Sequence, residues 1–135
     1  MSDLDDALAA LPAEGRGAGF VKKPWGWENR FAVTGKYLGK VIHINTGEAL
    51  SLQYHKQKDE TLLVVTGAMD LQLENDKGQM ETHRLTPGMS RRIVPGRKHR
   101  MIGVEECELF EVSTPEIDDV VRLEDKYGRK GTTTA

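Results

Sequence analysis

Residues 47–67, GEALSLQYHKQKDETLLVVTG, constrain the chain more than any other stretch, because they read as strand, polar turn and strand closed by a glycine. Residues 50–55 alternate in the period-2 manner of an extended strand, and residues 56–59 are polar and suit a turn. Residues 61–66 are apolar and β-branched. Successive side chains on a strand point to opposite faces, so Gln53 and His55 share one face. The short polar connection then brings Glu60 back beside them at the start of the next strand. An amide oxygen, an imidazole and a carboxylate meeting at one sheet end make most of a metal shell. His99, which follows the Pro95-Gly96 turn and opens a new strand, is the fourth candidate ligand.

The same alternation recurs along most of the chain. Strands are expected over residues 29–33, 37–44, 68–73, 80–85, 89–94, 99–104 and 108–112, with turn signals between them such as Thr34-Gly35 and Thr86-Pro87-Gly88. No helix-period segment interrupts them. Many short strands at this spacing point to an all-β sandwich or barrel. Before them, Ser2 can cap a short helix through Leu11, and residues 1–19 read as a flexible leader. The domain proper is expected over residues 20–129, with one helical turn in the acidic segment 116–125 and a disordered tail over 130–135.

A chain of 135 residues builds one core. Nineteen Lys and Arg against 21 Asp and Glu create no broad basic field, so a nucleic-acid partner is not expected. Cys107 is the only cysteine, which rules out an internal disulfide and suits a reducing cytoplasm. Its bland role is that of a small buried apolar side chain. No apolar run approaches the roughly 20 residues that span a bilayer, and the N-terminus is acidic, unlike a signal peptide.

The spacing around the candidate ligands resembles the two motifs of the cupin superfamily. The first motif, G-x5-H-x-H-x4-E-x6-G, runs here through Gly47, Gln53, His55, Glu60 and Gly67. The second, G-x5-P-x-G-x2-H, runs through Gly88, Val94, Gly96 and His99. Gln53 stands in place of the usual first histidine, and Val94 in place of the usual proline, with Pro95 following at once. Gln-x-His is similar to what mannose-6-phosphate isomerases carry. KPWGWE at 23–28 and VRLEDKYGR at 121–129 also look like the ends of the cupin domain of the type II isomerases, so the resemblance covers residues 23–129. It implies a double-stranded β-helix and one divalent metal held by Gln53, His55, Glu60 and His99. Such a shell suits Zn, Mn or Fe, and the isomerase resemblance favours Zn.

Each candidate has a plainer reading. A lone strand histidine is more often a surface or hydrogen-bonded residue, Gln53 alone a solvated one, and Glu60 a strand-start charge; only the joint spacing makes a site of them. His83 is expected to be exposed and His43 to face outward. Trp25 and Trp27 are expected to cover one end of the barrel, with a sugar-stacking surface as the sharper alternative. Lys40 shares a face with Leu38, Ile42 and Ile44, so it is either a desolvated general base or a lysine that snorkels to the rim. Arg91 and Arg92 must point opposite ways on their strand. Related sequences often carry an apolar residue where Arg91 stands, so Arg92 is assigned to the pocket as an anion holder, the alternative being that both are solvated.

By resemblance, the expected activity is a metal-dependent aldose–ketose isomerisation of a small sugar phosphate, with Lys40 and Arg92 as catalytic residues. An Fe(II)-dependent dioxygenase, suggested by a two-histidine, one-carboxylate triad, and a non-catalytic sugar-binding module are the alternatives. A homodimer is expected, because residues 61–66 are apolar at nearly every position and exposed sheet edges invite pairing.

Overall fold

A computed structural model describes residues 19–128 and the backbone of residues 131–132. The expected Ser2–Leu11 helix, the rest of the leader before Gly19 and most of the 130–135 tail lie outside the described residues. Period-2 patterning carries nearly everything in between into strands. These are β1 (Phe20–Lys23), β2 (Gly26–Val33), β3 (Leu38–Ile44), β4 (Leu52–Tyr54), β5 (Glu60–Glu74), β6 (Met80–Leu85), β7 (Ser90–Ile93), β8 (His99–Ser113), β9 (Val121–Glu124) and β10 (Gly131–Thr132). All pair antiparallel in one curled sheet, in the order β1-β2-β3-β8-β4-β9-β10, while β5 joins β8 to β7 and β6.

Two pairs of expected strands are single long ones. Residues 61–66 and 68–73 fuse into β5, and residues 99–104 and 108–112 fuse into β8. Register shifts between Val64 and Met69 bend this pair without breaking it, which is how a bulge curls a sheet into a barrel. Gly67 makes that bend possible. Its φ is 75°, and a Cβ there would fall 1.9 Å from the Glu106 carbonyl oxygen.

The barrel interior follows from the inward half of each alternation. Ile42, Ile44, Leu62, Val64, Met69, Leu71, Leu109 and Cys107 are buried together. Each large aliphatic side chain so buried contributes about 1.5–3 kcal/mol. Burial, with Glu108 nearby, pushes the Cys107 thiol up to about 11, consistent with an inert packing role.

Three local expectations change. Residues 116–125 hold no helical turn. The chain bends through 115–118 and then forms β9, because Val121, Arg122 and Leu123 alternate and the backbone pairs with β4. His43 faces outward as expected, yet it is only 3% exposed, stacked on Trp27 at 5.3 Å with Nδ1 3.2 Å from Glu108. The two tryptophans part company: Trp25 joins the core and the inner cavity, whereas Trp27 packs with His43 on the outer side of the sheet.

Candidate metal centre

Strand ends deliver the cluster. β4 turns Gln53 inward, the chain leaving it presents His55, β5 opens with Glu60 and β8 opens with His99. The β4–β8 register sets Gln53 opposite His99. Ligand atoms of His55, Glu60 and His99 lie within 4.8 Å of one another, and all three residues are buried. The Nε2 atoms of His55 and His99 stand 3.5 and 3.2 Å from Glu60 Oε1.

The other ring nitrogens decide what these atoms can do. His55 Nδ1 lies 2.5 Å from the Asp119 carbonyl oxygen, and His99 Nδ1 lies 2.9 Å from that of Arg97. A carbonyl can only accept, so each neutral ring carries its proton on Nδ1 and turns a lone pair at Nε2 toward Glu60. Glu60 Oε1 and His99 Nε2 are buried without a hydrogen-bond partner. A buried polar atom left so costs about 1–3 kcal/mol. Acceptors that converge with no proton among them call for a cation, so the three residues fit a divalent ion; Gln53, the fourth expected ligand, is buried at the same cavity. Protons would compete with the ion for the same nitrogens.

A small cavity of about 50 Å³ opens beside the triad, and it is strongly charged. Lys58 is 3% exposed, with Nζ 3.1 Å from Glu60 Oε2 and 2.8 Å from Glu111 Oε2. Burial would lower the Lys58 pKa, but Glu111 and Glu60 together raise it, so the group stays an ammonium. The Glu60 carboxyl is held well below its ordinary range: burial pushes it up, and Lys58 leads the neighbouring groups that together outweigh this. On the β2–β3 side, Glu28 Oε2 accepts from Arg30 Nε at 2.9 Å and lies 3.0 Å from Lys40 Nζ. Burial alone would raise Glu28, but Lys40, Arg30 and Lys23 outweigh it and hold the carboxyl at about 2.

Lys40 therefore lies in the cavity, as its apolar face-mates required, but its Nζ is committed to Glu28. Arg92 does not reach the pocket. The register pairs Arg92 with Thr61 on the outer face, where its side chain is 64% exposed and bound to Asp59 at 2.6 Å. Arg91 pairs with Leu62 and shares the inner face with buried Ile93, so the two arginines point opposite ways in the reverse sense to that expected.

Sequence reasoning missed Lys58, Glu111, Glu28 and Arg122, all buried at the cavity. The signal existed for two of them. Lys58 is two residues before Glu60, and Glu111 follows Cys107 and Leu109 on one stripe, the same period-2 argument that joined Gln53 to His55.

A double-stranded β-helix with an inward His–Glu–His cluster at one end defines the chain as a cupin with a candidate metal centre. More narrowly, the chain belongs to the family described as mannose-6-phosphate isomerase C-terminal, whose profile matches residues 16–125. It is 30% identical to the alginate biosynthesis protein AlgA of Pseudomonas aeruginosa, covering 96% of this chain and 28% of that protein. It is 34% identical to the xanthan biosynthesis protein XanB of Xanthomonas campestris, covering 81% and 23%. With the mannose-1-phosphate guanylyltransferase of Escherichia coli the identity is 29%, covering 96% and 28%. The chain thus spans about a quarter of the length of these relatives.

Solved structures share the fold. KdgF from Halomonas sp. superposes with a TM-score of 0.64 at 20% identity, over 72% of this chain and 87% of that one. Procruciferin, an 11S globulin of Brassica napus, gives 0.66 at 17%, over 76% and 28%. Proteins with such different names on one barrel show why the site, not the barrel, must carry any functional argument.

Proposed function

We propose that this cupin is a metal-dependent enzyme acting on a small anionic carbohydrate, with the aldose–ketose isomerisation of a sugar phosphate such as mannose 6-phosphate as its reaction. The observation that carries the reading is the convergence of two imidazole lone pairs and Glu60 on one point beside the Lys58–Glu111 pair. A bound ion, with Zn as the first candidate, would supply Lewis acidity toward the substrate's oxygens. Glu111 takes the role expected of Lys40. Its buried carboxylate lines the cavity with Oε2 2.8 Å from Lys58 Nζ, placed to take a proton from one carbon and return it to the neighbouring one. Lys58, held as an ammonium, donates toward negative charge developing on the substrate. The cavity suits the reacting carbons rather than a whole sugar phosphate, and Lys23, Lys40 and Arg122 supply the positive field that the phosphate would meet.

The test is to strip the protein of metal, reload it with Zn, Mn or Fe in turn, and assay interconversion of mannose 6-phosphate and fructose 6-phosphate. Turnover with one metal, lost in Glu111→Gln, is the expected result. Substrate-dependent oxygen uptake by the Fe form without isomerisation would replace this reading with the dioxygenase. Binding of the sugar phosphate without turnover in every form would replace it with a binding module.

The outer sheet face supports a second proposal, that the chain pairs with a second copy of itself. Phe110 on β8 lies between Val41 of β3 and Leu63 of β5, and Val112, Val65 and Phe31 extend this apolar face. A patch several strands wide exceeds the scattered apolar residues normal on a monomer. The face is also self-complementary, with Arg92 toward its Val112 end and Glu108 at the other, so a two-fold axis across the strands brings unlike ends together. Light scattering at micromolar concentration should give twice the chain mass, and Phe110→Glu should halve it; a monomer in the parent protein overturns the pairing.

A further inference from the structure

Every backbone N–H of the turn between His55 and Glu60 donates to a side chain of one other segment. The amides of Lys56, Gln57 and Lys58 reach the Asp119 carboxylate at 3.0, 2.7 and 2.9 Å, and that of Asp59 reaches Thr114 Oγ1 at 3.0 Å. Asp119 also gives its own carbonyl oxygen to His55 Nδ1. Asp119 thus joins three turn amides, through its carboxylate, to a candidate ligand, through its carbonyl. Asp119 is half-buried, and backbone amides are the partners its carboxylate meets. An anion with two oxygens is what three converging amides require.

We propose that Asp119 is the positioning residue of the metal centre, fixing the tautomer and direction of His55 through its carbonyl and the placement of Lys58 and Glu60 through its carboxylate. The inference rests on the metal reading above for its consequence, but not for its geometry. His55 Nε2 is free to bind a cation only while Nδ1–H has an acceptor, and Asp119 supplies it from outside the barrel. The carboxylate holds three of the turn's four amides and Thr114 the fourth, so losing it loosens the loop that aims Lys58 and Glu60. Groups that hold metal ligands in this indirect way typically change affinity by about 10–100-fold.

The experiment compares Asp119→Ala, Asp119→Asn and the exposed-neighbour control Asp118→Asn in the full chain. Zn²⁺ alone is titrated against a competing chelator, and the metal-free proteins are followed by amide exchange and by the ¹⁵N shifts of the His55 ring. Asp119→Ala should weaken Zn²⁺ binding about 10–100-fold, and Asp119→Asn, which keeps one acceptor oxygen, should weaken it less. Amides 56–58 should exchange faster, and, because the segment freed from them no longer holds its backbone carbonyl against Nδ1, the His55 ring should lose its single tautomer, with Asp118→Asn unchanged. If Asp119→Ala does not fold, Asp119→Asn carries the same readouts. A lowered melting temperature with parental Zn²⁺ affinity and parental ring shifts would reduce Asp119 to a structural residue and overturn the proposal. Failure of the parent protein to bind Zn²⁺, with the ring and amide effects still present, would count against the metal reading and leave the positioning geometry standing.

Discussion

Glu28 and Glu60 are both sealed in the barrel, 4% and 2% exposed, and both are held low by neighbouring cations. They nevertheless do opposite things. Around Glu28 the cations outnumber the carboxylate, and Arg30 donates to it in good geometry at 2.9 Å, so the cluster is complete. Around Glu60 there is one cation, Lys58, and two imidazoles that offer lone pairs instead of protons. Burial of charge is common to both; the surplus of unsatisfied acceptors belongs only to Glu60. That surplus, rather than a perturbed pKa, separates a site from an internal brace.

The largest effect expected of this difference is on metal. His55→Ala combined with His99→Ala should abolish stoichiometric Zn²⁺ after dialysis, and Glu60→Gln should do nearly the same, whereas Glu28→Gln should keep full occupancy. Metal analysis of the four proteins decides it; full occupancy in the double histidine variant would sink the ligand assignment. Stability should follow the reverse order. Glu28→Gln strands Lys40, whose side chain is 5% exposed, and removing one partner of a buried pair costs about 3–5 kcal/mol. Glu60→Gln should cost the metal-free protein less, because Lys58 keeps Glu111 at 2.8 Å. Urea unfolding of both metal-free variants measures this, and a larger loss in Glu60→Gln would show the clusters to be alike.

A smaller and more specific effect lies in the acid range. The Glu28 carboxyl titrates at about 2 in the fold against an ordinary 4.5. On acidification the unfolded chain therefore binds the proton first. The stabilisation is complete above the unfolded value, declines as pH falls through this window and is gone below the folded one. Over that window the linkage amounts to about 3 kcal/mol. Glu28→Gln should remove this part of the slope. Parallel stability curves for parent and variant between those two values would mean that Lys23, Arg30 and Lys40 do not hold the carboxylate as the geometry indicates.

The sequence made Glu60 legible and left Glu28 hidden, for a physical reason. Gln53, His55 and Glu60 are tied by strand alternation across one short turn, and His99 follows a turn that Pro95 and Gly96 mark, so local rules reach all four. Glu28 gains its meaning chiefly from Lys40, which only the β2–β3 register brings beside it. The all-β class was readable because β-branched alternation recurs through the chain. What alternation could not decide was the sign of a face where both candidates were arginine. Nor could it show that the 115–120 segment folds back over the turn preceding Glu60, since that depends on Asp119 meeting amides some sixty residues away.

The smallest effect belongs to a third carboxylate–cation pair, Asp59–Arg92, which sits outside the barrel. Its geometry is good, with Arg92 Nε and Nη2 3.1 and 2.6 Å from the two carboxylate oxygens. The surroundings are wet, however, and solvent screens what burial amplifies around Glu28. Arg92→Lys should therefore leave metal stoichiometry, substrate affinity and the urea midpoint unchanged within error. Arg91 is the sharper control, since it stands beside Leu62 on the inner face and its Nε is buried without a hydrogen-bond partner. Arg91→Met keeps the packing of the stem and removes that donor, so the protein should be as stable as the parent or more so, by up to about 1 kcal/mol. The two positions are adjacent in sequence and point to opposite faces. Weakened substrate binding in Arg92→Lys, with Arg91→Met silent, would return Arg92 to the pocket and show that the strand's faces are assigned the wrong way round.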